Sequence, residues 1–202
     1  MHEFTLNMLG YQRPVIKLYG SDTLIDTGAL IPMTTFSPEV LKLAWNAELV
    51  LQDASIGGIG GQAHGSVYAL KDFEIGDFHF DKLEIFVPDK ADFKFPFLIS
   101  ATLLYGTHFS MDMRSDDAQT LTIQVPDDIP LSRTFEIKSL DGKLCAQIDG
   151  ILIQEQDELR TVDNFLIELD TARTDLHIVT NRLEERSEIF DDLEYDDEEY
   201  ER

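Results

Sequence analysis

Short runs of β-branched and aromatic residues, many cut off by glycine, proline or aspartate pairs, restrict this chain to a mostly β fold. Pro14 to Tyr19, Ser66 to Leu70, Phe78 to Val87, Phe109 to Met113 and Thr120 to Val125 all read as strands. Phe78 and Phe80, then Leu83, Ile85 and Val87, alternate with a period of two and slip once between the sets, as at a bulge. Two stretches depart from this pattern. Ser37-Pro38-Glu39 sets a capping hydroxyl and a first-turn proline ahead of Val40, Leu41, Leu43 and Ala44, which predicts a short helix. Ser100 to Tyr105 is the second helical candidate.

Val125-Pro126-Asp127-Asp128-Ile129-Pro130 punctuates the chain and predicts a boundary, with a first unit over residues 1–125. A β-rich extension over 126–173 follows, with strands at Thr134 to Leu140, Lys143 to Asp149 and Ile151 to Ile153 around Asp141-Gly142 and Asp149-Gly150 turns. Asp163 to Leu169 is a further strand candidate. This section is short enough to elaborate the main sheet without forming a free domain. Residues 174–202 differ in kind. Leu176, Val179, Leu183, Phe190 and Leu193 fall at helical spacing, interrupted by Arg186, and predict an amphipathic helix over Asp175 to about Leu193. It has two roles open to it, packing on the body or filling a groove on a partner. From Glu184 to Arg202 eleven acidic residues face two arginines, a net of -9 within the chain's -23, which leaves -14 for residues 1–183. Such density predicts a partly disordered acidic tail.

That charge excludes whole classes of partner. Nucleic-acid phosphates and anionic membrane surfaces both require the opposite sign. The lone Cys145 cannot close an internal disulfide or build a multi-cysteine zinc site. The first residues lack the basic region and long apolar core of a signal peptide, and no apolar run approaches the roughly 18 residues of a membrane span. The expectation is a soluble, cytoplasmic protein.

The segment richest in chemistry is Thr23-Leu24-Ile25-Asp26-Thr27-Gly28-Ala29, an apolar strand that runs directly into an aspartate, a hydroxyl residue and a glycine. A carboxylate at the end of a buried strand is costly unless hydrogen bonds or catalysis justify it. Asp-Thr-Gly alone also makes an ordinary turn. Downstream, Ser55-Ile56-Gly57-Gly58-Ile59-Gly60-Gly61-Gln62 places a glycine cluster between two extended segments, as in a mobile hairpin tip that lies over a ligand. Gly58 to Ala63 also imitates a dinucleotide-binding fingerprint, but that motif must open a helix. Here it runs into His64-Gly65-Ser66-Val67-Tyr68, a turn and a strand. A third segment, Phe97-Leu98-Ile99-Ser100-Ala101-Thr102-Leu103-Leu104, reads as a strand, a small residue and a short helix ahead of Phe109 to Met113.

In order and spacing these three segments resemble the retropepsin family, the aspartic proteases of retroviruses and their cellular and bacterial relatives. The likeness covers roughly Tyr11 to Val125, and the flap hexapeptide is closest to the retroviral members. It implies an acid-protease fold, a closed β-barrel lobe with short helices, carrying the β-rich extension and the C-terminal acidic helix and tail. It also implies a homodimer, since each chain offers one Asp-Thr-Gly loop and the chemistry needs two carboxylates. Asp26 of each chain would share a proton with its counterpart, because two carboxylates so close cannot both ionise easily. The ionised one would activate water and the protonated one would stabilise the developing oxyanion. By the same resemblance Thr27 braces the loops across the dimer and Gly28 meets the substrate backbone. Gly58, Ile59, Gly60 and Gly61 close over an extended peptide, while Ala29, Ile99 and Ser100 support the site from behind. No cofactor or metal is expected.

The sequence also departs from the family. Ser100 stands where glycine is usual. Leu30 and Ala101 replace an aspartate and an arginine that form an ion pair in retroviral members. Both partners are missing together, so no buried charge is stranded. The leading expectation is an aspartic endopeptidase, a hydrolase of peptide or protein substrates. The rival is a catalytically inactive retropepsin-like module that binds or scaffolds through its C-terminal helix and acidic tail. His64, His79, His108 and His177 show no metal-ligand spacing. Cys145 reads as a packed small side chain, and the acidic tail lacks the glycine of a calcium loop.

Overall fold

The computed structural model describes residues 1–9, 13–58, 61–90, 94–112, 119–140, 143–153 and 168–169. The chain is mainly β. In order it forms β1 (His2–Leu9), β2 (Val15–Leu18), β3 (Ser21–Asp26), β4 (Met33–Thr34), α1 (Pro38–Trp45), β5 (Glu48–Gly58), β6 (Gly61–Ile75), β7 (Phe78–Pro88) and β8 (Phe97–Ser100). A 3-10 turn, Ala101–Leu104, follows, then β9 (His108–Asp112), β10 (Thr120–Val125), β11 (Ser132–Leu140), β12 (Lys143–Ile148), β13 (Ile151–Ile153) and the two-residue β14 (Glu168–Leu169). No helix among the described residues is long and apolar enough to cross a membrane.

Hydrogen bonding strings these strands into one path, β13-β12-β11-β7-β4-β8-β3-β2-β1-β10-β9-β14, with β6 on the other edge of β7 and β5 outside it. Among the described residues this path has two ends and curls into a half-barrel, where a closed barrel was expected. The second edge of β7 explains why. It is divided between two parallel neighbours, β11 alongside His79–Leu83 and β4 at Phe86. The expected slip in β7 falls at Asp81, which the register to β11 skips. Beyond Leu83 the two strands part, and the buried Glu84 bridges the gap by accepting the Ile137 amide at 2.6 Å. The extension is thereby built into the main sheet.

Turn chemistry sets the hairpins. Tyr19-Gly20 and Asp149-Gly150 both hold positive φ at their two central positions, as tight two-residue hairpins require. Helix α1 starts as its sequence predicts, with Ser37 capping the Val40 amide and Pro38 in the first turn, and it ends on a left-handed Asn46. Phe73, Phe97, Trp45, Phe36 and Tyr19 cluster at ring separations of 5.1–6.3 Å and fill the space under α1 and the start of β8. Along β10 and β11, Leu121, Ile123, Val125, Phe135 and Ile137 alternate inward. The Asp141-Gly142 turn, residues 163–167 of the last strand candidate, and the helix and acidic tail over 174–202 lie outside the described residues.

A charge network joins the extension to β7. Lys82 reaches Glu84 at 2.7 Å and Glu136 at 2.9 Å, and Lys138 reaches Glu136 at 3.0 Å. Burial works against the Lys82 charge, but its two carboxylates hold its pKa above the ordinary value. Hydrogen bonds from Lys82 and then Lys138 hold the Glu136 carboxyl below the usual range. A carboxylate whose folded pKa is depressed adds stability above its unfolded pKa, about 4.3, and loses it as pH falls through the lower folded value. Glu136 is partly exposed, so its share is small, about 0.5 kcal/mol. Glu136→Gln is therefore expected to lose that increment at neutral pH and to converge on the parent chain only as pH falls below the depressed folded pKa, read by urea denaturation across pH. A larger effect is expected at Gly65. An added Cβ there would lie 2.1 Å from the Val87 carbonyl oxygen and 2.8 Å from Pro88 Cα, both backbone atoms of the paired strand β7. Gly65→Ala is expected to destabilise the chain by about 1–3 kcal/mol in the same measurement.

Candidate active site

β3 delivers Asp26 to its last position, between antiparallel β2 and parallel β8. Thr23 and Ile25 are buried, which fixes the parity of the strand and carries the chain outward at its end. Asp26 is half-buried, Thr27 and Gly28 are exposed, and Ala29 and Leu30 turn partly back inside. Asp26 Oδ1 accepts the Gly28 amide at 2.9 Å, and the Ala29 amide reaches the Asp26 carbonyl at 3.4 Å. The loop is thus an Asx-type turn closed by the carboxylate itself. Among the described residues a Cβ on Gly28 would meet only Asp26 Oδ1, at 3.5 Å, so none of them demands glycine there.

Beneath the loop lies the segment that the sequence assigned to support. Ile25 pairs with Ile99 and Asp26 with Ser100 in the parallel register of β3 and β8. Ser100 is fully buried, and its hydroxyl does what a glycine could not. Its Oγ donates to the Ala29 carbonyl, contacts Thr102 Oγ1 at 2.6 Å and accepts the Thr102 amide at 3.1 Å. Thr102 Oγ1 donates to the Leu30 carbonyl at 2.8 Å. Each hydroxyl carries one proton, so with both donated to the loop carbonyls the short Ser100–Thr102 contact holds no proton of its own. Ala29 and Leu30 are tied down from behind while Thr27 and Gly28 stay open to the outside.

The β5–β6 hairpin carries the glycine cluster. Its strands pair from Glu48↔Ala69 to Gly58↔Gly61, which confirms an extended two-stranded ribbon in place of a dinucleotide-binding turn. Ile59 and Gly60 lie outside the described residues. None of the hydrogen bonds of the Asp26 loop among the described residues goes to this hairpin, so Asp26, Gly28, Ala29, Ile99 and Ser100 come together while Gly58 and Gly61 sit on a separate element. Among the described residues no group of three or more His, Cys, Asp and Glu side chains is placed to hold a metal ion. Cys145, on β12, is half-buried.

Two contributors were not read from the sequence as site residues. Thr102 lay within a quoted segment but had no role, although a Ser-x-Thr pair at a strand-to-helix junction offers two hydroxyls to nearby carbonyls. Arg133 fell one residue outside the expected strand. Its position, inward with Phe135 and Ile137 on β11, was available from parity alone.

Such a loop presents one carboxylate, oriented by its own turn and rigidly backed, on a surface that a second body can approach. Removal of the Ser100 hydroxyl deprives the buried turn and the Ala29 carbonyl of a partner. Ser100→Ala is expected to cost about 1–3 kcal/mol in urea unfolding, and Ser100→Gly, with the residue usual in retropepsins, at least as much.

Comparisons with protein-family models, with curated proteins and with solved structures found no match to this chain.

Proposed function

We propose that this protein is a retropepsin-like aspartic endopeptidase that acts as a homodimer, each chain contributing Asp26. The observation that carries the reading is the Asp26 loop. An aspartate ends a buried strand, Thr27 and Gly28 are exposed, and buried hydroxyls from the Ser100–Thr102 segment hold the residues behind them. Ordinary surface turns do not need support of that kind. The parallel pairing of β3 with β8, followed at once by a 3-10 turn, supports the fold assignment from the same residues.

In this reading two Asp26 loops meet across a twofold axis, with Thr27 and Gly28 at the contact. The paired carboxylates hold one proton between them. The ionised one takes a proton from a bound water as its oxygen attacks the peptide carbonyl, and the protonated one donates to the oxygen that becomes negative. Collapse of the tetrahedral intermediate breaks the C–N bond and passes a proton to the departing amine. The β5–β6 hairpin covers an extended peptide and adds backbone hydrogen bonds to it.

The test is mass spectrometry of a peptide library incubated with the full chain at about pH 4 to 7, a span that covers carboxylate titration. Asp26→Asn is run beside it, and sedimentation gives the oligomeric state. Cleavage by the parent chain should be strongest on the acidic side and should fall by at least about 10³-fold in the variant, the scale expected when a reacting carboxylate is lost. A strict monomer, or cleavage that survives in Asp26→Asn, overturns the proposal. A folded dimer in which neither protein cleaves points to the binding module.

A further inference from the structure

The extension has no obvious business at an acid-protease site, yet its most buried polar side chain among the described residues leads there. Arg133, on β11, is 2 % exposed. Its Nε donates to Asp149 Oδ2 at 2.9 Å, and Nη2 lies 2.8 Å from the same oxygen. Nη1 donates to the Leu103 carbonyl at 3.2 Å and Nη2 to the Tyr105 carbonyl at 3.0 Å. The ring of Phe78 lies 5.3 Å from the guanidinium carbon. Asp149 is held in turn, its Oδ1 accepting the Thr134 amide at 2.9 Å.

The two carbonyls that Arg133 grips lie at the end of the 3-10 turn Ala101–Leu104, Leu103 inside it and Tyr105 just past it. They are the groups that a helical turn leaves without internal donors. The other end of that turn is Ser100 and Thr102, whose hydroxyls hold the Ala29 and Leu30 carbonyls. One six-residue segment, 100–105, is therefore fixed at both ends, by the Asp26 loop in front and by the extension behind. A guanidinium suits this position because its planar fork serves several acceptors at once. Burial lowers the Arg133 pKa from its ordinary value, and Asp149 offsets only part of that loss.

We propose that Arg133 is a positioning residue for Asp26, and that the extension braces the carboxylate loop through the turn at 101–104. The inference rests on the peptidase reading for its kinetic consequence, but the brace itself can be measured without activity. The full-length chain is compared as parent, Arg133→Lys, Arg133→Met, Thr102→Val and Arg133→Lys with Thr102→Val. Two readouts are taken well below each unfolding midpoint: amide hydrogen exchange over residues 27–30 and 101–105, and kcat with KM on the best library peptide. Single variants should exchange at least 10-fold faster in both segments. Each should lose about 10- to 100-fold in kcat with KM within about threefold, the pattern of a misplaced reacting group. Thr102→Val should leave exchange at residues 132–149 unchanged, and the double variant should lose little beyond either single one, because both cut the same line of support. A role confined to stability would lower the unfolding midpoint and leave both readouts at parent values.

Folded Arg133 variants whose exchange and kcat stay within twofold of the parent overturn the proposal. Should both Arg133 variants fail to fold, Thr102→Val decides, since it leaves the Arg133 clamp intact and cuts only the link to the loop: unchanged exchange over 27–30 overturns the brace. Should the parent chain cleave nothing, the exchange arm still decides the brace, while the peptidase reading falls by its own test.

Discussion

A β-strand has two hydrogen-bonding edges, and β7 uses both. One edge is filled by β6 from Ile75↔Phe78 to Gly65↔Pro88. The other serves β11 and then β4, and through β4 the chain reaches β8, β3 and Asp26. Phe78, Phe80, Leu83, Ile85 and Phe86 of this strand are fully buried. At about 1.5–3 kcal/mol for each large apolar side chain taken out of water, they make a large hydrophobic contribution. Glu84, the carboxylate among them, would oppose that gain if unpaired. It is matched by the Lys82 ammonium and the Ile137 amide at the place where one neighbour hands over to the next. A buried carboxylate is tolerable there because its position satisfies a backbone donor that no strand is left to serve.

How much of this was legible depends on whether local chemistry or distant pairing fixed each element. α1 was readable because Ser37 and Pro38 act within a single turn. The tight Asp149-Gly150 hairpin was readable because the left-handed backbone at its centre needs those residues. β1 was not read, although Phe4, Leu6 and Met8 alternate, because its ladder to β10 joins residues more than a hundred positions apart. β5 was left as an unnamed extended segment for another reason. Its register shifts twice, between Leu49 and Leu51 and again between Leu51 and Ala54, and Asp53 takes a left-handed conformation, so no single period survives along it. The half-barrel was also beyond reach, since the division of the second edge of β7 is a property of three strands together.

The site divides along the same line. Asp26, Thr27 and Gly28 are neighbours in sequence, and their turn closes through a contact between Asp26 and Gly28. Ser100 stood out as a departure from the glycine usual in retropepsins. The buried hydroxyl has a donor-and-acceptor role, because the Ala29 carbonyl lies within its reach and would otherwise lack this partner. Nothing in a single sequence reveals where a carbonyl 71 residues away points. Parity could place Arg133 inside, but not name the carbonyls of Leu103 and Tyr105 as its acceptors.

Leu30, at the end of the Asp26 loop, and Ala101, which opens its supporting turn, carry no charge. A cation held beside a carboxylate favours its charged form. Here the loop is held by hydroxyls, and their protons go to the carbonyls of Ala29 and Leu30. The nearest charged brace in this line of support, Arg133, is matched by Asp149 at 2.8 Å and spends its remaining bonds on backbone oxygens. Rigidity therefore reaches the Asp26 loop through neutral groups, and the one cation in the chain of contacts is neutralised before the chain arrives. Such an arrangement orients the Asp26 loop through hydrogen bonds from neutral groups alone.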